Sequence, residues 1–311
     1  MSMRPFKRSV WAAMALVGLI VGLFGVAPAQ ASVTTNPNTV MWKVLVGEQS
    51  PDLAIQGMRF LPGEIWIDQG DSIDFVANSA EIHTVSFGTP PIPPTGVGSL
   101  LADAVPRVGG PVFDPTAPWT NSGILTTVST PDFPTVTSYQ QKFAARGDFT
   151  FFCLIHGDVM SITVHVGAPN APYPHTQAFY DAQAAAQKAA VLADGYKLWA
   201  DTAALATPTH VFVGAGDSTA MVMRFIPTVD TVHLGQTVTF DLAANMMPVP
   251  HTVTFTTLRQ NGKPVDSGLL LEAFLGGPST FSVTFDQLGS WNYLCEFHDD
   301  LGMLGTVNVI P

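Results

Sequence analysis

The chain has 311 residues, of which 47% are apolar and 12% are charged. This balance excludes a disordered chain, and the length predicts about two globular domains. The formal net charge of −11 argues against a nucleic-acid partner, because an acidic surface repels phosphate.

The N-terminal segment has the features of a secretory signal peptide. Its first nine residues carry three cations and no anion, an apolar run from Val10 to Val26 follows, and Ala29 to Ala31 places small residues at the cleavage positions. We predict that residues 1–31 are removed on export to the periplasm or the cell exterior, which changes the net charge from −11 to −14. An uncleaved N-terminal anchor is the alternative, because the run is near the lower limit for spanning a bilayer. We expect no membrane span after cleavage.

An internal repeat organises the rest of the chain. The motif MRFLP at 58–62 recurs as MRFIP at 223–227, and HTVSF at 83–87 recurs as HTVTF at 251–255. Self-similarity of this kind indicates one unit that has been duplicated. The sequence therefore predicts two copies of a single domain.

Each copy is predicted to be an antiparallel β-sandwich. Short alternating runs, such as 64–68 and 237–241, are separated by Gly, Pro, Asn and Asp, which is typical of sandwich strands. We assign residues 40–168 and 207–311 to two tandem all-β domains of the Greek-key type. Residues 169–206 are rich in Ala, Gln, Lys and Leu, which predicts a helical linker of one helix or a helix pair.

The first copy carries an insertion that the second copy lacks. The stretch from Pro90 to Pro134 holds ten of the 25 prolines of the chain. Because Pro interrupts helices and strands, we expect an irregular surface excursion here.

The two cysteines, Cys153 and Cys295, are the only ones in the chain and occupy equivalent places in the repeat. Two cysteines in an exported protein would ordinarily predict a disulfide. However, equivalent positions in two separate sandwiches are expected to lie beyond the ~7 Å that a disulfide allows between Cα atoms. A metal is therefore the better prediction.

Each cysteine is accompanied by an upstream histidine, a histidine three residues later and a methionine shortly after. The two sets are His83, Cys153, His156 and Met160, and His251, Cys295, His298 and Met303. A thiolate, two imidazoles and a weak axial thioether form the blue-copper arrangement. The cysteine would end one strand, and the loop that follows would bring its histidine and methionine to the same ion as the upstream histidine. The pattern predicts two copper ions, one in each copy.

The duplicated unit resembles a cupredoxin of the plastocyanin, pseudoazurin and amicyanin type, in which an upstream His is followed much later by Cys-x2-His and a Met. The second copy, with Cys295-x2-His298-x4-Met303, is similar to plastocyanin, and the loop of the first copy is one residue shorter. The resemblance covers nearly all of both copies, but neither the linker nor the Pro-rich insertion.

The chain departs from the plastocyanin pattern next to the ligands. Thr84 and Thr252 follow the upstream histidines, where plastocyanins usually have Asn, and Ile155 and Phe297 precede the loop histidines, where they often have Pro. Ser161 replaces the Gly common after the Met. We expect ligation to survive these changes, whereas the hydrogen bonds around the ligands, and with them the reduction potentials, do not follow from the resemblance.

The resemblance implies an electron-transfer protein, not an enzyme, with type 1 copper that cycles between Cu(I) and Cu(II) and with redox proteins as donor and acceptor. An ion with four protein ligands has no open position for a substrate. In relatives the loop histidine reaches the surface through an apolar patch where a partner docks. The residues expected to form that patch are Leu154, Ile155, Leu301 and Leu304.

Other functions use the same ligands. The first is a copper carrier or storage protein, and the second is a two-domain copper oxidase or nitrite reductase, which needs further copper held by several histidines. No His-x-His pair occurs in the chain. The remaining histidines have no histidine counterpart in the repeat and are expected to be structural or solvated; they are His165, His175, His210 and His233. A further alternative is that the first site, with its shorter loop and nearby insertion, holds no metal.

Overall fold

The computed structural model describes residues 39–92, 97–131, 133–246, 249–271 and 277–311. The predicted signal peptide at 1–31 lies outside these residues. The described chain consists mainly of β-strands together with two helices, which confirms the all-β prediction with a helical segment. Within the described ranges, no helix has the length and apolar character needed to cross a membrane.

Among its described residues, the first copy contributes twelve strands and one short helix. The strands are β1 (Met41–Gln49), β2 (Ile55–Leu61), β3 (Glu64–Asp68), β4 (Ser72–Ala77), β5 (Ser86–Gly88), β6 (Val112–Phe113), β7 (Trp119–Asn121), β8 (Ile124–Leu125), β9 (Thr135–Val136), β10 (Ser138–Phe143), β11 (Gly147–Cys153) and β12 (Gly157–Gly167), and the helix is α1 (Val97–Ala104).

The long helix α2 (Gln177–Ala203) and the strands of the second copy follow. These strands are β13 (His210–Gly216), β14 (Ala220–Ile226), β15 (Val229–His233), β16 (Thr237–Asp241), β17 (Thr254–Gln260), β18 (Lys263–Asp266), β19 (Thr280–Thr284), β20 (Gly289–Leu294) and β21 (Leu304–Ile310).

In each copy two sheets enclose a hydrophobic core. The strands alternate buried and more exposed residues, as in β12, where Met160, Ile162 and Val164 are buried and their neighbours are not. The sheets are mixed rather than purely antiparallel, because β1 pairs with β4, and β13 with β16, in parallel. Between β2 and β4 the chain forms β3 in the other sheet, and between β14 and β16 it forms β15 in the other sheet. This crossover allows β1 and β4, and likewise β13 and β16, to run parallel.

The two copies share one nine-stranded sheet, because β2 pairs with β14 in antiparallel fashion. Ile55 lies opposite Val222, Gln56 opposite Met221 and Gly57 opposite Ala220. Residues 55, 56 and 57 of the first copy correspond to residues 220, 221 and 222 of the second, at an offset of 165. Exchanging the copies therefore turns the pair Ile55–Val222 into the pair Gly57–Ala220 and maps the pair Gln56–Met221 onto itself. The junction is therefore two-fold symmetric in its pairing, like the interface of a homodimer.

Two equivalent arginines reinforce this junction. The Arg59 guanidinium donates to the carbonyl oxygens of Val159 in its own copy and Ser218 in the other, at 2.7 and 3.0 Å. Arg224 donates to those of Leu301 in its own copy and Asp52 in the other, at 2.6 Å each. Because Val159 and Leu301 lie just before the methionines of the two metal motifs, each arginine links a metal-site loop to the opposite copy.

Helix α2 is one continuous helix of 27 residues, which answers a question that the sequence left open. The helix begins after Thr176, whose hydroxyl accepts from the Phe179 backbone N–H, and it lies against β2 and β14. Its Gly195 faces the junction so closely that a Cβ would clash with Ile55. A glycine here permits close packing of the helix on the shared sheet.

The Pro-rich insertion is more ordered than expected. It contains α1 and several short strands, and its Ala104, Trp119 and Ile124 form a small core with Leu154 of the first metal motif. The prediction of an irregular surface excursion was wrong in this respect, because apolar side chains between the prolines give the insertion an interior of its own.

Candidate metal centres

The two metal motifs lie at equivalent turns between paired strands. Cys153 is the last residue of β11 and His156 lies in the turn that leads into β12. In the second copy Cys295 follows β20, and a turn of backbone hydrogen bonds brings Met303 back, with its N–H donating to the carbonyl oxygen of His298 at 3.0 Å. In both copies a single tight loop follows the cysteine and returns the chain to the next strand, as predicted from the sequence.

The upstream histidines are held by a different part of each sandwich. His83 exchanges backbone hydrogen bonds with Leu125 at 2.9 and 2.7 Å, and His251 does so with Leu270 at 3.2 and 2.8 Å. Both side chains are 1% exposed. This backbone pairing holds each histidine in place.

In the first centre the three donor atoms converge. Nδ1 of His83 lies 3.1 Å from Nδ1 of His156, and the latter lies 3.5 Å from Sγ of Cys153. All three donors lie within 4.8 Å of one another and are buried. The shorter loop and the insertion therefore do not disturb this arrangement.

The second centre has the same geometry. Nδ1 of His251 lies 3.2 Å from Nδ1 of His298, and Sγ of Cys295 lies 3.5 and 3.4 Å from these two nitrogens. In the part of the chain that the structure describes, these two triads are the only groups of three or more His, Cys, Asp or Glu residues placed to hold a metal ion.

The two methionines are fully buried. Met160 belongs to the same hydrophobic cluster as Cys153, and Met303 to the same cluster as Cys295. Both cysteines are free thiols, so the disulfide alternative does not describe this structure.

Burial keeps the four histidine rings neutral, which is the protonation state that binds a metal. It lowers the pKa of His156 and of His298 to about 4. Burial, followed by the charge of the neighbouring histidine, lowers the pKa of His83 and of His251 well below the ordinary value. The rings are neutral at neutral pH and present lone pairs.

A soft cation fits the donor set. Burial raises the pKa of Cys153 and of Cys295, so these thiols keep their protons unless a positive charge replaces them. Two neutral ring nitrogens that face each other at 3.1 to 3.2 Å, with a sulfur beside them, form the trigonal His₂Cys set that copper prefers.

The two threonines where the chain departs from the plastocyanin pattern serve the cysteines directly. The backbone N–H of Thr84 lies 3.3 Å from Sγ of Cys153 and that of Thr252 lies 3.4 Å from Sγ of Cys295, so each donates to the sulfur. The hydroxyl of Thr84 accepts from the Leu154 N–H at 2.8 Å, and that of Thr252 accepts from the Glu296 N–H at the same distance. Each threonine thus ties the cysteine loop to the strand of the upstream histidine.

Two glycines that the sequence reading did not single out make room for the upstream histidines. Gly47 and Gly214 occupy equivalent β-bulges, with φ of +79° and +75°. A Cβ at Gly47 would lie 2.5 Å from Nε2 of His83, and one at Gly214 would lie 3.1 Å from Nε2 of His251. Their signal in the sequence was a glycine at the same place in both copies.

The loop histidines are not at the surface. His156 is 3% exposed and His298 is 6% exposed, so the expectation that they reach solvent through an apolar patch was wrong. Of the residues expected to form that patch, Leu154 and Leu301 are buried, Ile155 is partly buried and Leu304 is exposed. At the junction between the copies, Glu81 of the first copy lies 4.0 Å from Nε2 of His298 in the second copy.

A carboxylate that the sequence reading missed lies between the two loop histidines. Glu81 has Oε1 4.0 Å from Nε2 of His156 and Oε2 4.0 Å from Nε2 of His298. Burial raises the pKa of Glu81 to about 7; a hydrogen bond from the Ile82 backbone opposes this shift and the charge of Asp300 adds to it. No repeat marks Glu81, because Val249 occupies the equivalent position of the second copy.

The four other histidines lie outside both centres. His165 lies between Asp148 and Glu64 at 2.7 and 2.9 Å, and these bonds raise its pKa although burial alone would lower it. The other three have structural contacts: His175 stacks on Phe179, His210 lies 3.2 Å from the Asp241 carboxylate, and His233 contacts the Pro311 carbonyl oxygen.

Comparisons with known proteins relate part of the chain to a family of copper binding proteins. Residues 211–310 match the model of the family described as copper binding proteins, plastocyanin/azurin family. The chain is 34% identical to plastocyanin of Scenedesmus fuscus over 94 residues, which cover 30% of this chain and 91% of that protein. It is 31% identical to chloroplastic plastocyanin of Physcomitrium patens over 140 residues, which cover 45% and 78%.

Two solved structures are similar to part of the chain. Oxidized plastocyanin from Dryopteris crassirhizoma covers 32% of this chain and 99% of its own, at 21% identity and a TM-score of 0.26. A purple cupredoxin from Nitrosopumilus maritimus covers 33% and 99%, at 22% identity and a TM-score of 0.23.

Proposed function

Since the chain belongs to the plastocyanin/azurin family of copper binding proteins, we propose that it is an electron-transfer protein with two type 1 copper ions. The observation that carries the proposal is the pair of buried His-Cys-His triads with nearly equal distances. The proposed ligands are His83, Cys153, His156 and Met160 in the first centre, and His251, Cys295, His298 and Met303 in the second.

Copper bound in such a site supplies one-electron chemistry by alternating between Cu(I) and Cu(II). The protein contributes a rigid set of donors. The upstream histidines are fixed by backbone pairing, and the N–H groups of Thr84 and Thr252 hold the sulfurs in place. Because four protein ligands leave no open position for a substrate, we propose electron transfer and not catalysis.

We further propose that the protein acts after export, in the periplasm or outside the cell, with redox proteins as donor and acceptor. The support is the signal-like segment at residues 1–31. Several of the plastocyanins that match the chain are chloroplastic proteins by name, so they too belong to a compartment reached by targeting.

Metal content and the visible spectrum of the purified chain test this function. We expect two copper ions per chain and an intense absorption at about 600 nm from copper-thiolate bonds. Cys153→Ser and Cys295→Ser form a matched pair, and each is expected to remove one copper and about half of the absorption. A colourless copper-loaded protein, or a chain whose copper content is unchanged in both variants, would contradict the proposal.

Copper carriage or storage is the second candidate, and the burial of His156 and His298 favours it. With both rings covered, neither centre has the exposed imidazole edge through which a docked partner would exchange electrons. Competition with a Cu(I) chelator distinguishes the two functions. Copper that leaves within seconds, together with slow reduction by small reagents, would support carriage, whereas retained copper with reversible redox cycling would support electron transfer.

A further inference from the structure

The two centres meet at a single side chain. The oxygens of Glu81 lie 4.0 Å from Nε2 of His156 and 4.0 Å from Nε2 of His298, a residue 217 positions away in the other copy. The carboxylate side chain is 9% exposed, and the two imidazoles are 3% and 8% exposed. At this distance the contacts are electrostatic rather than direct hydrogen bonds, and burial protects them from screening.

The place of Glu81 is determined by the junction between the copies. Its backbone N–H donates to Oε1 of Gln56, and Gln56 lies opposite Met221 at the centre of the β2–β14 pairing. Val249, at the equivalent position of the second copy, is buried in the core cluster that crosses this junction. The second copy therefore places no carboxylate at the position equivalent to Glu81, where two would repel each other.

A histidine that binds a metal through Nδ1 carries its proton on Nε2. Such an N–H is usually directed at a carboxylate, a carbonyl or water, which orients the ring and makes the ligand more basic. In this chain the Nε2 atoms of both loop histidines face the same carboxylate. The side of the ring expected to meet a partner protein is occupied by Glu81 instead.

We infer that Glu81 is a positioning residue shared by both metal centres, with one oxygen directed at His156 and the other at His298. This inference rests on the proposed function, because it takes the two histidines as copper ligands. A negative charge near both ions favours their oxidised form and lowers both reduction potentials. A substitution at Glu81 is therefore expected to change the reduction potentials of both centres.

Reduction potentials of the separated centres test the inference. In the Cys153→Ser chain only the second centre is expected to be blue, and in the Cys295→Ser chain only the first. Adding Glu81→Gln to each background at pH 8 is expected to raise the potential of the remaining centre and to alter its Cu(II) EPR spectrum. Glu81→Asp is expected to restore part of both shifts.

Glu296→Gln provides the matched control, because Glu296 is an exposed carboxylate next to Cys295. It is expected to shift the second centre slightly and the first not at all. A Glu81→Gln effect confined to the first centre, or absent from both, would overturn the inference. If the single-centre chains are not blue at all, the proposed function fails instead.

A measurement on the unaltered chain tests the facing geometry without any change at Glu81. With both centres oxidised, two Cu(II) ions on either side of one carboxylate are expected to broaden each other's EPR signals by dipolar coupling. The two cysteine variants, with one ion each, are expected to show narrow signals. Equal linewidths in all three proteins would contradict the shared-carboxylate arrangement.

Discussion

The two copies place the same histidine and cysteine donor atoms at nearly the same distances from one another. Their hydrophobic cores, however, differ in composition. In the first copy Ile65 and Phe151 are buried without polar atoms. The repeat places Asp230 and Tyr293 at these positions in the second copy, and both are buried too. The metal triads thus tolerate large changes in the core, because backbone pairing and the cysteine loop determine the donor positions.

The polar core of the second copy is poorly satisfied. Oδ2 of Asp230 and Oη of Tyr293 have no hydrogen-bond partner in the described ranges. Burial raises the pKa of Asp230 to about 7, and burial together with the charge of Asp230 raises that of Tyr293. Gly305, opposite Tyr293 in the strand pairing, leaves room for the ring, since a Cβ there would clash with it. The comparison teaches that the copies share a ligand geometry but differ in how well their buried polar groups are satisfied.

The largest expected effect comes from the bulge glycines. Gly47→Ala combines a strained positive φ with a methyl group 2.1 Å from Oγ of Ser79 and 2.5 Å from Nε2 of His83. Gly214→Ala has a similar φ, but its methyl group meets Nε2 of His251 and the Val222 carbonyl oxygen only at 3.1 Å. We expect a loss of about 3 kcal/mol in unfolding free energy for the first and about 1 kcal/mol for the second. Urea unfolding measures the loss, and copper titration is expected to show a weakened first centre only in Gly47→Ala. Equal losses would mean that strain, not contact with the histidine, dominates.

Removal of the buried carboxyl sharpens the contrast between the interiors. Because the pKa of Asp230 is raised to about 7 in the folded chain, the folded state keeps a proton that the unfolded state releases above about pH 4. This residue therefore makes stability fall as pH rises from about 4 to 7. Asp230→Asn is expected to remove that fall and to stabilise the chain by about 2 kcal/mol at pH 8.

Thermal unfolding followed at pH 4 and pH 8 measures this effect. The exposed Asp286 offers a control, and Asp286→Asn is expected to leave the pH dependence unchanged. An unaltered pH profile in Asp230→Asn would show that the folded chain accommodates this carboxylate without a raised pKa.

The smallest expected effect is at the threonines that tie the cysteine loops. Thr84→Val leaves the N–H of Leu154 without its acceptor in a buried place, and Thr252→Val does the same to the N–H of Glu296 in a partly buried place. We expect losses of about 1.5 and about 1 kcal/mol, because water reaches the second group more easily. The blue absorption should persist in both, since the backbone N–H groups at the sulfurs remain. A colourless Thr84→Val protein would assign the hydroxyl a role at the metal itself.

Residues that sequence reasoning found share one property: they repeat. The cysteines, the loop histidines and the methionines lie within eight residues of each other in each copy, and a turn of that length brings them together locally. The composition of residues 169–206 also predicted the long helix. The glycine at position 195 is explained only by the close contact of the helix with Ile55 of the shared sheet. Gly47 and Gly214 were within reach of the same method, since both copies carry them.

Sequence alone predicted the duplication, the all-β class and the order of the proposed donors, because strand alternation and loop length depend on residues that are neighbours in the chain. Only the tertiary structure decided that β2 and β14 pair, that the loop histidines are covered, and that Glu81 lies between centres 217 residues apart in the chain. Such contacts depend on how two separately encoded surfaces pack. No local pattern in either surface specifies the other.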